Sequence, residues 1–362
     1  LLEGKANKHA YYTQQIAYWL GVREAEIQLE GLYDLLRIGY AKRAEPRQGD
    51  IDRAIDASEI ARSKMRLYST VSVSLYSYRI LTLRAQLTKN YAACIELCQE
   101  AENFISSKPG FSNPARIAEF AIKRLVCCIH LRDLSHGQQA ASVCSAAYKP
   151  GTNNWFVYSE QTFLLYTACL EFKAARTLWN EVTETYNFQA QSEHRKDRWI
   201  IFDLYLRLVE ERLHASTIVP FSNSLKFADL FNQVSTASID KAGYNFALIV
   251  LHVLYLISQN DWTTILDRLE AIKSYRIRHL KAKHSQASQF LKYLSDLEPG
   301  LDKASFDKET LSRNAKQPSD QLDSSILEGL QIVPFEYLKD WVRNQMHNTV
   351  HARHSQSKST YL

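Results

Sequence analysis

The chain has 362 residues, 46% of them hydrophobic, and a net charge of +5. That is enough apolar material for a large core, and a charge too mild to mark a dedicated nucleic-acid binder, though it suits contact with acidic partners. No run of about 20 apolar residues is present, which excludes a membrane-spanning helix; the richest run, 246–257, is short and contains His252.

Gly 11 and Pro 8 are low counts, so long helices with little punctuation are expected. Residues 5–44 hold no proline and read as two helices. Tyr12, Ile16, Trp19 and Leu20 form one apolar stripe there, and Leu32, Leu35, Leu36 and Tyr40 form another. A turn at 46–50 leads into a helix over 51–64, so that residues 1–65 read as an N-terminal helical hairpin or cap. Helices then follow in pairs: 71–87 with 91–105, 115–131 with 138–147, 155–170 with 174–186, 198–213 with 224–234, and 244–258 with 262–280. Pro114 is placed well for an early helical position, and Pro109-Gly110 and Pro150-Gly151 break the chain. Residues 66–297 thus read as a repeat array. A polar linker follows over 298–330, then a small capping helix over 331–346 built on Phe335, Leu338, Trp341 and Val342. The acid-free tail 347–362 is expected to be disordered.

One phrase recurs within the array. It reads Asn90-Tyr91-Ala92-Ala93, then Glu171-Phe172-Lys173-Ala174-Ala175, then Asp261-Trp262-Thr263-Thr264. Each time a polar residue and an aromatic open a helix directly after a long apolar helix. Second helices begin roughly 35 to 50 residues apart, the spacing of helical repeats, in which each unit buries its apolar face only by stacking on its neighbours. The phrases resemble the start of the second helix in tetratricopeptide repeats, with Ala92, Ala93, Ala174 and Ala175 at the small-residue positions. Units near Gln138 and Ser224 depart from that pattern. The stretches Arg198-Trp199-Ile200-Ile201-Phe202 and Leu266-Asp267-Arg268-Leu269 are similar to those of a group of uncharacterised bacterial helical-repeat proteins. The resemblance implies an all-α fold of antiparallel helix pairs stacked in a right-handed superhelical solenoid; it brings no activity.

Nothing in the sequence has the spacing of a catalytic or metal site. Phosphate-binding glycine loops, GxSxG and HExxH are lacking. The cysteines Cys94, Cys98, Cys127, Cys128, Cys144 and Cys169 lie in helical patterns with no CxxC pair, as small core residues of a reducing compartment do. His130 and His252 stand on apolar runs and read as core or seam residues. A non-enzymatic scaffold with no cofactor, located in the cytoplasm, is therefore expected to bind a protein or peptide segment in its concave groove. Polar residues of the first helix in each pair are the natural contacts: Tyr78, Lys123, Tyr158, Arg198, Tyr205 and Asn245, the last able to clamp a peptide backbone as donor and acceptor. A second cluster, His194-Arg195-Lys196-Asp197-Arg198, opens one such helix.

Two alternatives compete. The run 273–284 is basic without an acid and carries Lys273, Arg276, Arg278, Lys281 and Lys283 around Tyr275. It reads either as an anion-binding strip for nucleic acid or an acidic ligand, or as a helix end whose cations offset the macrodipole. The start at Leu1-Leu2-Glu3, with no signal peptide and no methionine, also fits a regulatory or sensor module of a larger protein.

Overall fold

Lys89, Arg132 and Leu170 show how this chain folds back on itself. Each has a positive φ, +57°, +53° and +63° respectively, directly before the residue that opens the next helix. The opening residue sends its N–H back to a carbonyl five positions earlier: Asn90 to Ala85 at 2.9 Å, Asp133 to Cys128 at 2.9 Å and Glu171 to Tyr166 at 2.8 Å. Asp261 does the same to Leu256 at 3.1 Å. This is the Schellman closure, in which otherwise orphaned carbonyls at the end of one helix are satisfied by the residue that begins the next. The chain turns round in two or three residues.

The computed structural model describes residues 2–41, 47–214, 244–259, 261, 264, 265, 268, 274, 286–295, 334, 336–340 and 342–344. Among them every regular element is an α-helix, and the helices over residues 2–147 pack consecutively, as do those over residues 153–214. The chain divides into two compact units, Leu1–Lys149 and Pro150–Leu362, at the Pro150-Gly151 break and inside the span read above as one array. The proposed helix 224–234, the linker 298–330 and the tail 347–362 lie outside the described residues.

The first unit begins with α1 (Leu2–Ala41), one continuous helix where the sequence reading expects two. Nothing in the segment stops a helix, and glycine is tolerated inside one at modest cost. Gly21 has a positional reason: a Cβ there would run into the Tyr68 hydroxyl, so the end of the second helix seats on it. The second half of α1 packs Val22, Ala25, Leu29 and Leu36 against Ala54, Ala57 and Ala61 of α2 (Gln48–Leu67) and Val73, Ile80, Leu83 and Leu87 of α3 (Val71–Leu87). Of the two apolar stripes in this region only part of the second is covered. Leu36 is buried, but Leu35 and the whole stripe of Tyr12, Ile16, Trp19 and Leu20 are exposed.

α3 continues into α4 (Tyr91–Ser106) and α5 (Pro114–Leu131), which close a second core on Leu75, Tyr78, Tyr91, Cys94, Cys98, Ile105, Phe120 and Cys127. The N-caps are side chains of the favoured kind. Thr70 accepts from Val73 N–H, Asn90 from Ala93 N–H, and Asn113 from Ala115 N–H ahead of Pro114 at the first helical position. Glu102 of α4 and Arg124 of α5 form a buried pair at 2.9 Å.

α6 (Leu134–Ala147) starts four residues before the expected Gln138. Ser135, His136 and Gly137 look like turn residues, but the Asp133 carboxylate accepts from the His136 N–H at 3.1 Å and lies 2.7 Å from its Nδ1, which caps the helix. Gly137, Ala140, Ala141 and Cys144 form a buried small-residue stripe, so this unit keeps the close-packing pattern that the sequence seemed to have lost. The recurrent phrase therefore has a fourth copy, Arg132-Asp133-Leu134.

In the second unit, α7 (Asn153–Ala168), α8 (Phe172–Glu184) and α9 (Glu193–His214) pack in sequence, and α10 (Tyr244–Ser258) packs on α9. α9 begins five residues before the expected Arg198. Its core is aromatic: Phe163 stacks on Phe202 at 4.2 Å and meets Trp199 edge-on at 5.7 Å. α11 (Gln286–Ser295) was not foreseen as a separate helix. Tyr293 Oη donates to Lys339 O at 3.3 Å, in the helical residues 336–340. Leu338 and Val342 of that segment are buried, and Tyr337 packs on Phe172 at 5.4 Å.

Candidate functional site

A cluster of polar and aromatic side chains in the first unit lies where α1, α3 and α5 present side chains to one another. Arg79 of α3 donates through Nε and Nη2 to the two carboxylate oxygens of Glu119 on α5, at 2.8 and 2.6 Å. Lys123, one turn along α5, stands 3.7 Å from Glu119 and 3.5 Å from the Thr82 hydroxyl. Tyr33 of α1 receives both cations over its ring, with Arg79 and Lys123 each 5.8 Å from the centroid. Tyr76 lies under Arg79 at 5.3 Å and donates its hydroxyl to Glu30 of α1 at 2.8 Å.

Burial pulls the Glu119 carboxyl up, but the Arg79 hydrogen bonds and the Lys123 charge outweigh it and hold its pKa below the ordinary carboxylate value. It stays ionised and locks Arg79 in a bidentate fork. Burial and the Glu30 hydrogen bond raise the Tyr76 pKa, so its hydroxyl remains a donor. Tyr33 and Tyr76 are half-exposed, and Arg79, Glu119 and Lys123 keep 21%, 28% and 17% of their side-chain surface in solvent. Aromatic edges and fixed charges thus sit side by side at the surface. Of these residues only Lys123 was nominated from sequence. The spacing Tyr76–Arg79 and Glu119–Lys123, three and four residues on helices of the first kind, was the available signal.

The other nominated residues are placed differently. Tyr78 is buried in the α3–α4–α5 core beside Phe104, and burial, with the Glu100 charge, raises its pKa. Tyr158 is buried in α7. Tyr205 is fully buried, its hydroxyl donates to Ala247 O at 3.0 Å across the α9–α10 seam, and burial pushes its pKa far up. Arg198 is paired with the buried Glu160 of α7, which also receives Arg195 at 3.2 Å. The cluster opening α9 therefore ties that helix to α7, and Arg195 also donates to Asn153 at 2.8 Å. Arg176 of α8 does similar work further along α9, with Asp203 at 2.6 Å and Glu210 at 2.7 Å. Asn245 lies in α10, and its side chain is outside the described residues, as are Lys273, Arg276, Arg278, Lys281 and Lys283.

The cysteines other than Cys169 are buried among helices. Contact with Cys127 and burial push the Cys94 thiol well up, and burial pushes Cys144 up to about 12, so both are protonated and poor nucleophiles. His130 stacks on Tyr91 with ring centroids 4.1 Å apart; burial and the Lys89 charge lower its pKa to about 4. His252 is half-buried in α10, its pKa lowered by burial and by Arg268. Among the described residues no group of three or more His, Cys, Asp or Glu side chains is arranged to hold a metal ion, and no helix is long and apolar enough to cross a membrane. No protein-family model matches the chain, and no match is found among curated proteins or solved structures.

Proposed function

We propose that the chain is a non-enzymatic scaffold that binds a protein or peptide segment, built as a tetratricopeptide-like array of the right-handed superhelical kind and working in the cytoplasm. The observation that carries the reading is the α1–α3–α5 face. Three helices there hold two half-exposed tyrosines beside a guanidinium whose Nε and Nη2 are fixed by Glu119. That leaves the Nη1 edge of Arg79 for a carbonyl or carboxylate of a bound segment, with the Tyr33 and Tyr76 rings for its apolar side chains. A pre-organised arginine flanked by tyrosines is the composition of protein-recognition hot spots, and it needs no reorganisation on binding.

Selection of a displayed random-peptide library on the purified protein, followed by calorimetry on the selected peptides, tests this. Arg79→Lys keeps the charge but loses the bidentate fork, and is expected to weaken binding about tenfold, as is Tyr33→Ala. Lys173→Ala, on the exposed side of α8, is expected to leave affinity unchanged. Failure to select any peptide, or peptides that bind all variants equally, overturns the assignment of this face.

A further inference from the structure

α1 carries two apolar faces. Val22, Ala25, Leu29 and Leu36 face the core, and on the other side Ile16, Leu20, Ile27 and Ile38 stand in solvent, at 62%, 66%, 57% and 45% exposure. Ile16, Ile27 and Ile38 are eleven residues, or about three turns, apart, so they fall on one line along the helix. Trp19 and Leu35, both exposed, flank that line. A contiguous line of exposed apolar side chains of this kind marks an interaction surface.

The residues between the isoleucines point to the occupant. We infer that the face binds the same face of a second copy of the chain, with the two α1 helices antiparallel about a two-fold axis through Ile27. In that register Ile27 meets its own symmetry mate and Ile16 lies opposite Ile38 of the other copy, with Trp19 and Leu35 on the two flanks of the seam. Arg23 falls opposite Gly31, where a Cβ would meet nothing within 4 Å. The missing side chain leaves room for the guanidinium, and the exposed Asp34 of the other copy supplies a carboxylate for it, Arg23 and Asp34 exchanging their present partners Glu26 and Arg37 on the same helix. Parallel alignment would set Arg23 against Arg23, Glu30 against Glu30 and Asp34 against Asp34, three like-charge pairs. Charge therefore selects the antiparallel arrangement. From residue 12 to residue 38 the face is about 40 Å long. A single helix-on-helix contact of that length belongs to the small end of specific interfaces, so the dimer is expected to form reversibly in the micromolar range. The inference concerns a different face of α1 from the proposed peptide site and does not depend on it.

Sedimentation equilibrium on the full chain tests it. The 41.7 kDa chain is expected to approach twice that mass as concentration rises through the micromolar range, while Ile27→Asp stays monomeric with unchanged helical circular dichroism. Cysteine crosslinking with an added oxidant then reads the register, with the wild-type chain as control for its own thiols. Ile27→Cys is expected to link to itself; Ile16→Cys and Ile38→Cys are expected to link only when mixed. A monomer throughout the range, or a dimer indifferent to Ile27→Asp, overturns the inference. Self-linking of Ile16→Cys and of Ile38→Cys alone would show a parallel pair and overturn the arrangement. Binding of the monomer to anionic phosphatidylserine vesicles, lost in Ile27→Asp, would assign the face to a lipid surface instead.

Discussion

His130 shows how one buried side chain sets a pH dependence. Its neutral ring stacks on Tyr91, and burial lowers its pKa from an ordinary 6.5 to about 4. Because the folded pKa lies below the unfolded one, the unfolded chain binds the proton first as pH falls. The contribution of this residue to stability is complete above about pH 6.5 and is lost as the pH descends toward 4, at up to about 1.4 kcal/mol per pH unit. His130→Phe, which keeps a flat ring against Tyr91, is expected to remove that part of the acid sensitivity; urea unfolding of both proteins at pH 7 and pH 5 measures the difference. The sequence placed His130 and the cysteines other than Cys169 as core residues, since each interrupts no apolar stripe, and the structure buries them. The sequence also nominated Tyr78, Tyr158 and Tyr205 for the groove and the structure buries all three, because helical periodicity tells which way a residue points and not how many layers lie beyond it. Tyrosine suits either depth, provided its hydroxyl finds a partner, as Tyr205 does on Ala247.

The recurring element is the hairpin turn. Lys89, Arg132 and Leu170 occupy the left-handed region that favours glycine, and each retains a side chain there. A non-glycine residue in that region costs roughly 1–2 kcal/mol, part of which glycine gives back through the greater freedom of its unfolded chain. Leu170→Gly, at a half-exposed site with little packing to lose, is expected to stabilise the protein by about 0.5–1 kcal/mol, whereas Leu170→Ala is not. Denaturant midpoints of the two variants decide, and a lower midpoint for Leu170→Gly would count against the account. The turn was legible in part. Asn90-Tyr91, Glu171-Phe172 and Asp261-Trp262 advertise it with an aromatic, while Asp133-Leu134 has none and hides behind Ser135-His136-Gly137. The aromatic is thus dispensable to the turn. What recurs is the pairing of a left-handed residue with a helix-opening one that bonds back five positions, and backbone conformation of that kind is not written in residue type.

For the whole molecule, the division at Lys149 and Pro150 has a testable consequence. The two apolar clusters of the first unit draw every member from residues before Pro150. A fragment of residues 1–149 is large enough to bury most of the surface its unfolded chain exposes. It is expected to fold alone, with strong helical circular dichroism and a single cooperative urea transition; a gradual loss of signal would show that the two units hold each other up.

By itself the sequence determined the helical class, nearly all the helix boundaries from α3 to α8, and the tandem pairing. These follow from local causes: apolar spacing at the helical period, capping side chains at Thr70, Asn90 and Asn113, and breaks at Pro109-Gly110 and Pro150-Gly151. Only the tertiary structure decided which apolar faces are covered. Tyr12, Ile16, Trp19 and Leu20 form an apolar stripe and stand in solvent, while the second half of the same uninterrupted helix packs its own stripe on α2 and α3. It also decided which charges are already paired, since Arg198 finds Glu160 from 38 positions away and Arg79 finds Glu119 from 40. Burial and ion pairing are properties of what lies across a gap in space, and a residue's neighbours along the chain do not specify them.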